Sequence, residues 1–164
     1  VVTANGAENA YYQGLGKSVT VRNGPMESID ELLLVRGVTR ELFHGTRERP
    51  GLARFLTVYG EGGININTAP KEVLRALSPA ITEDAANRMD DYRRNPANTL
   101  ADPSWYRRVA GLNNVSIDAV PLVTRSDFFH LAATGHLGTM KRTIRGFVKR
   151  DSDRKLSIVA WRMG

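Results

Sequence analysis

At 164 residues, the chain is long enough for one sizeable core or two small ones, and it should bury about 70% of its unfolded surface. Its 41% hydrophobic and 24% charged residues are those of a folded globular protein, and the absence of cysteine excludes thiol catalysis, disulfides and cysteine-ligated zinc. A net charge of +6 raises only weakly the expectation of nucleic acid or anionic lipid, because the basic residues are scattered and form no long run. The longest aliphatic run, Leu32-Leu33-Leu34-Val35, falls far short of the roughly 20 apolar residues of a spanning helix. The chain opens on Val1-Val2 with neither methionine nor signal-like segment, as a fragment whose targeting region had been removed would.

From Val1 to Arg22 the sequence is rich in glycine and asparagine, with Tyr11-Tyr12 as its main apolar feature and a short strand expected at Ser18–Val21. Asn23-Gly24-Pro25 signals a turn. Ser28-Ile29-Asp30-Glu31 then reads as a capping box, in which serine accepts a first-turn N–H and the glutamate reaches back. The helix it opens should run through Leu32 to about Arg36 and stop at Gly37, and Thr39 should cap a second short helix through Phe43.

A polar loop from Arg47 to Gly51 and the segment Leu52–Tyr59 lead through Gly60-Glu61-Gly62-Gly63 into Ile64-Asn65-Ile66-Asn67-Thr68-Ala69-Pro70. Alternation of isoleucine and asparagine predicts an extended run, Ile64 and Ile66 buried, Asn65 and Asn67 pinning nearby backbone. Thr68 is expected to cap the helix of Lys71–Leu77, with Pro70 in its first turn. A further helix should start at Thr82, turn Ala85, Ala86, Met89 and Tyr92 inward, and end on Arg93 and Arg94 before Asn95-Pro96.

Val35-Arg36-Gly37-Val38-Thr39 corresponds to Ser78-Pro79-Ala80-Ile81-Thr82, so the two helix-turn-helix units read as a repeat that would bury its leucine stripes back to back. A short helix at Ser104–Val109 should carry Trp105 into that core. From about Ser116 the period becomes strand-like. Strands are expected at Phe128–Thr134, Met140–Lys149 and Leu156–Trp161, with turns at Gly135–Gly138 and Asp151–Arg154, making an antiparallel meander. Such a sheet needs a helix over its apolar face, and no long amphipathic helix is left in the chain to cover it.

Little here suggests catalysis. The three histidines, His44, His130 and His136, lack metal-ligand spacing. There is no nucleophile elbow and no phosphate-cradling glycine loop. Glu83-Asp84, Asp90-Asp91 and Asp151-Ser152-Asp153 offer hard oxygen atoms to calcium, but none has the spacing of a calcium loop, and they read as solvated charge. Hairpins that hold a DNA phosphate use glycines to let backbone N–H groups approach it. Here the first hairpin keeps only Gly37 and has Thr39 at the second glycine position, while the other has Ala80 and Thr82. A DNA-binding helix-hairpin-helix module of an uptake or tethering protein is therefore the alternative, and a packing or protein-binding use the leading reading.

The run Pro25–Thr39, then Leu56-Thr57-Val58-Tyr59, Ile64–Ala69 and a last strand ending Ala160-Trp161-Arg162 together resemble general secretion pathway protein K, the family of large minor pseudopilins of bacterial type II secretion. The resemblance implies a pilin fold, in which a long N-terminal helix packs on an antiparallel sheet and a helical domain is inserted before the last strands. It also implies a periplasmic domain of an inner-membrane protein, anchored by an N-terminal helix that this chain lacks. The expected partners are the I-type and J-type minor pseudopilins at the pseudopilus tip, then secreted substrate or the secretin, with no nucleic acid. No cofactor is expected; some family members bind calcium in the inserted domain, and no ligands are assigned.

The expected fold class is α+β: a helical domain with two helix-hairpin-helix-like (SAM-like) repeats and a C-terminal pilin-type antiparallel sheet. The expected organisation is a connecting segment over 1–24, the helical domain over 25–115 and the sheet over 116–164. The residues singled out are Ile64, Asn65, Ile66, Asn67 and Thr68 as a structural hinge, and Gly37, Thr39, Ala80 and Thr82 at the hairpin turns. The expected role is structural, initiating and capping the fibre, and not enzymatic.

Overall fold

The structure, a computed structural model, describes residues 7, 9–14, 24–118 and 120–163. The strand expected at Ser18–Val21 lies outside them. The chain forms two compact units, Val1–Tyr59 and Gly60–Gly164.

In the first unit, α1 (Asn9–Gln13) precedes a 3-10 turn at Ile29–Leu34 and α2 (Arg40–His44). The capping box forms: the Ser28 hydroxyl accepts from Asp30 N, and Glu31 Oε1 accepts from Ser28 N at 3.0 Å. The expected helix through Arg36 is instead a tighter 3-10 piece that ends when Val35 turns extended, its N–H donating to Leu32 O. Bonds of the i to i+3 kind suit so short an element. Gly37 follows with φ +89°, a left-handed conformation that favours glycine. Thr39 Oγ1 accepts from Leu42 N at 3.0 Å, which caps α2, and Phe43 on that helix is buried.

The second unit holds the main core. Its elements are β1 (Ile64–Asn65), α3 (Lys71–Ala76), α4 (Glu83–Arg94), a 3-10 turn at Pro103–Arg108, β2 (Leu122–Val123), β3 (Phe128–Leu137), β4 (Met140–Arg150) and β5 (Leu156–Met163). β1 and β2 form a short parallel pair, and β3-β4-β5 an antiparallel sheet. Helices and an antiparallel sheet make the chain α+β.

α4 presents Ala85, Ala86 and Met89 to the core at helical spacing, as expected. They pack with Ile66, Leu74, Trp105 and Leu112, all buried. Ile117 belongs to the same cluster, and Val120 and Leu122 pack against it, so the helical core reaches past residue 115. Among the described residues, the buried members of this core come from residues 66–117. The stripe of α3 and α4 is covered by the Trp105 turn and the segment after it.

Two local expectations are corrected. Thr68 does not cap the next helix, because Asn65 O accepts from both Thr68 N and Ala69 N and closes a turn there. The helix therefore starts only after Pro70, which as N-cap has no side-chain cap bond. In the sheet, Gly135, His136 and Leu137 continue β3, and the connection shrinks to Gly138-Thr139, with Gly138 at φ +58°. A two-residue turn with positive φ matches the twist of paired strands better than the four-residue turn expected.

Candidate functional site

Asn67 sits half-buried at a junction of four segments. β1 brings it there: Ile64 N donates to Pro121 O and Ile66 N to Val123 O, so this short stretch is stitched to β2, and Ile66 is wholly buried. Only Ile64 and Asn65 are strand, and Ile64 is half-buried; from Ile66 the chain turns. Thr68 is exposed.

The Asn67 amide is fully used. Its Oδ1 accepts from Trp105 Nε1 at 2.7 Å, while Nδ2 donates to Leu100 O at 3.0 Å and Thr124 O at 3.4 Å. Its backbone N–H donates to Asn65 Oδ1, and Asn65 Nδ2 donates to Ser126 Oγ at 2.8 Å. Both asparagines thus hold backbone or side chains far away in sequence. A buried indole N–H must find an acceptor, and Asn67 supplies it.

Beside this junction lies a network that sequence reasoning missed. Asp90, read as solvated, is buried and receives Arg93 Nη2 at 2.7 Å and Arg94 Nε at 2.9 Å. Arg93 Nη1 also donates to Ala69 O at 2.7 Å and to Ile66 O at 3.3 Å. Burial alone would raise the Asp90 carboxyl, but the hydrogen bond from Arg93 and the charges of Arg93, Arg94 and Lys71 outweigh it and hold it below its ordinary value. The available signal was the i, i+3 and i, i+4 placement of Arg93 and Arg94 after Asp90 on the face that carries Ala86 and Met89.

At the hairpin turns, Gly37 and Thr39 take the conformations already described. In the second, Ile81 N donates to Ser78 O, Ala80 N to Ser78 Oγ and Thr82 N to Ala80 O. These three N–H groups are engaged within the turn itself. Thr82 Oγ1 accepts from Ala85 N at 3.2 Å and caps α4. A shallow groove of about 550 Å³ runs past this turn, lined by Glu72, Arg75, Ser78, Pro79, Ile81 and Glu83. Arg75 and Glu83 face each other across it at 3.5 Å.

The sheet carries a second candidate surface. Register and alternation place Leu131, Ile144, Trp161 and Met163 on one face. They are 54%, 46%, 63% and 70% exposed. Val148, on the same face, is buried.

Among the described residues no three His, Cys, Asp or Glu side chains gather into a metal-binding group. No residue is assigned to a metal.

Two models of one family, both described as type II secretion system protein K, match the chain, one over residues 1–61 and the other over residues 64–124. Their junction falls in the Gly60–Gly63 segment, next to the division between the two compact units. The curated type II secretion system protein K of Aeromonas hydrophila is 28% identical over 166 residues, an alignment that covers 95% of this chain and 47% of that protein. The chain spans about half the length of this relative.

Proposed function

The chain belongs to the type II secretion system protein K family, and from that premise we propose that it is the part of a minor pseudopilin that sits at the tip of the secretion pseudopilus. In this reading it assembles with the I-type and J-type minor pseudopilins, initiates the fibre and caps it. The helical domain is the capping device, since its bulk blocks another subunit from stacking above. The protein acts by shape and contact, in the periplasm, with a membrane attachment through a pilin N-terminal helix. Secreted substrate and the secretin are its further partners.

The observation that carries this reading is the apolar sheet face. Leu131, Ile144, Trp161 and Met163 stand largely exposed on one side of β3-β4-β5, which is the surface a pilin fold covers with its long helix. About 25 cal/mol per Å² of apolar surface makes covering such a face strongly favourable. The helical part supports the reading too. Val38 N bonds Val35 O as Ile81 N bonds Ser78 O, and Thr39 caps Leu42 N as Thr82 caps Ala85 N. The two turns share this bond and this threonine cap, as helix-hairpin-helix-like units would, and differ at the tip, where Gly37 is left-handed and Ala80 is not. With the N–H groups of the second turn engaged internally, that repeat is suited to packing and not to holding a phosphate.

The test is assembly. The protein carrying a pilin N-terminal helix, mixed at micromolar concentration with soluble I-type and J-type pseudopilins, should co-elute with both as one complex. Separate elution of the three proteins would sink the reading.

A further inference from the structure

The charge of the chain is distributed unevenly. Residues 128–163 hold eight Lys and Arg against two Asp, so this segment accounts for the whole net charge of +6, and residues 1–127 balance to zero. Both aspartates, Asp151 and Asp153, lie in the turn between β4 and β5. The three strands themselves contain no acidic residue.

Register divides these cations between the two faces. Arg142 and Arg150 share the apolar face, while Lys141, Arg145, Lys149 and Arg162 occupy the opposite one. Contacts along that second face follow the pairing: Lys149 Nζ lies 5.3 Å from the Phe128 ring centre, His130 lies tilted against Phe147 with ring centres 4.9 Å apart, and Thr134 and Thr143 share a hydrogen bond at 3.0 Å. Arg145 stands directly opposite Arg162, and both are exposed. Like charges at opposed strand positions destabilise a sheet. Among the described residues neither arginine has an ion-pair partner, nor has Lys141, and Lys149 meets Glu61 only at 3.8 Å.

We propose that this basic face of the sheet docks an acidic polypeptide surface. A bound carboxylate between Arg145 and Arg162 relieves their repulsion and accepts from both planar guanidinium groups. The hydroxyls of Thr134 and Thr143 in the next row supply neutral hydrogen-bond partners for peptide groups. A single-stranded nucleic acid would call for free aromatic faces to stack on, and here Phe128 is covered by Lys149 and Phe147 by His130. A bilayer binder gains from exposed apolar side chains beside its cations, whereas Phe128 and Phe147 on this face are half-buried. This docking is independent of the tip assembly, and either can fail alone.

The test uses the 164-residue chain and fluorescein-labelled poly-L-glutamate, read by anisotropy at low and physiological salt. Binding should weaken with salt, and the R145E/R162E variant should lose about tenfold or more in affinity. R47E/R49E, an equal charge change at exposed positions of the first unit, should lose less than about threefold. Equal losses in the two variants, or none in either, would overturn the proposal by showing a net-charge effect or no site. Tighter binding to phosphatidylglycerol vesicles or to oligothymidylate through the same arginines would overturn it in favour of that ligand. Circular dichroism checks folding, and R145E alone, which turns the repulsive pair into an attractive one, should still cost about threefold; no loss in that folded variant overturns the proposal.

Discussion

Replacing Asn67 with alanine removes three hydrogen bonds at once, and the cost follows from what each partner is left with. Trp105 is wholly buried, so its indole N–H, now 2.7 Å from Asn67 Oδ1, would have no acceptor, an outcome worth about 1–3 kcal/mol. The carbonyls of Leu100 and Thr124 would lose their donor, adding a smaller amount because a carbonyl tolerates partial satisfaction. The expected loss is about 2–4 kcal/mol. For a unit of this size that lowers the midpoint by roughly 10–20 °C. Trp105 and Trp161 are the two tryptophans, so a Trp161→Phe background leaves Trp105 as the fluorescent reporter of the core. In that background Asn67→Ala should shift the urea midpoint without changing the slope. Combined with Trp105→Phe, and read for all four members of the cycle by circular dichroism because that variant has no tryptophan left, it should show a coupling of about 1–2 kcal/mol, since the phenyl ring has no N–H to strand. A loss below about 0.5 kcal/mol, or a coupling near zero, would refute the view that this amide holds the four segments together.

Further outcomes follow from the same geometry. Thr82→Ala should cost about 1 kcal/mol by uncapping α4, while Thr68→Ala, at an exposed position with no cap bond, should stay within about 0.5 kcal/mol; thermal melts of the pair would separate the two residues. Asp90→Asn should destabilise by roughly 3 kcal/mol, because Arg93 and Arg94 lose their buried counter-charge. The native Asp90 carboxyl lies below its unfolded value, so its contribution is fully present above about pH 4 and disappears as pH falls through the folded value. An acid titration of stability should therefore be flatter for Asp90→Asn than for the wild type. Gly51→Ala should cost roughly 3 kcal/mol or more, because a Cβ there meets the backbone of Phe43, His44 and Gly45. Gly37→Ala has open space around it and a φ of +89°, so about 1 kcal/mol is expected, read by denaturant unfolding of the first unit.

Local signals were the most legible part of the molecule. The Ser28 capping box and the Thr39 and Thr82 caps rest on contacts within a few residues, while the inward face of α4 and the three strands of the meander show as periodicity along the chain. Thr68 departs from its expected role for a related reason. A threonine ahead of a helix is a good cap by type, but here Asn65 O closes the chain into a turn first and delays the helix to Lys71. Glycine reads as turn, which predicts the turn over Gly135–Gly138, while pairing with Arg142 draws Gly135 into the strand.

The Asn67 junction shows where local reasoning runs out. Sequence alone indicated that Asn65 and Asn67 would pin backbone, since alternation gave them the polar side of a buried run. It did not name Leu100, Trp105, Thr124 or Ser126 as the partners, all at least 33 residues away in the chain. Asp90 makes the same point in reverse. As one of two adjacent aspartates it looked solvated, and only the packing of α4 over Ile66 and Ala69 buried it beside Arg93.

What the sequence by itself determined is the α+β class, the positions of most caps and of the strands, and the family likeness. These depend on residue type and on neighbours near in sequence. Only the tertiary structure decided which segments close the helical core, which side chains satisfy the Trp105 N–H and the Asp90 carboxylate, and that Arg145 stands opposite Arg162. Those facts depend on the register and approach of distant segments, which the sum of many weak packing and hydrogen-bond terms selects and no single residue announces.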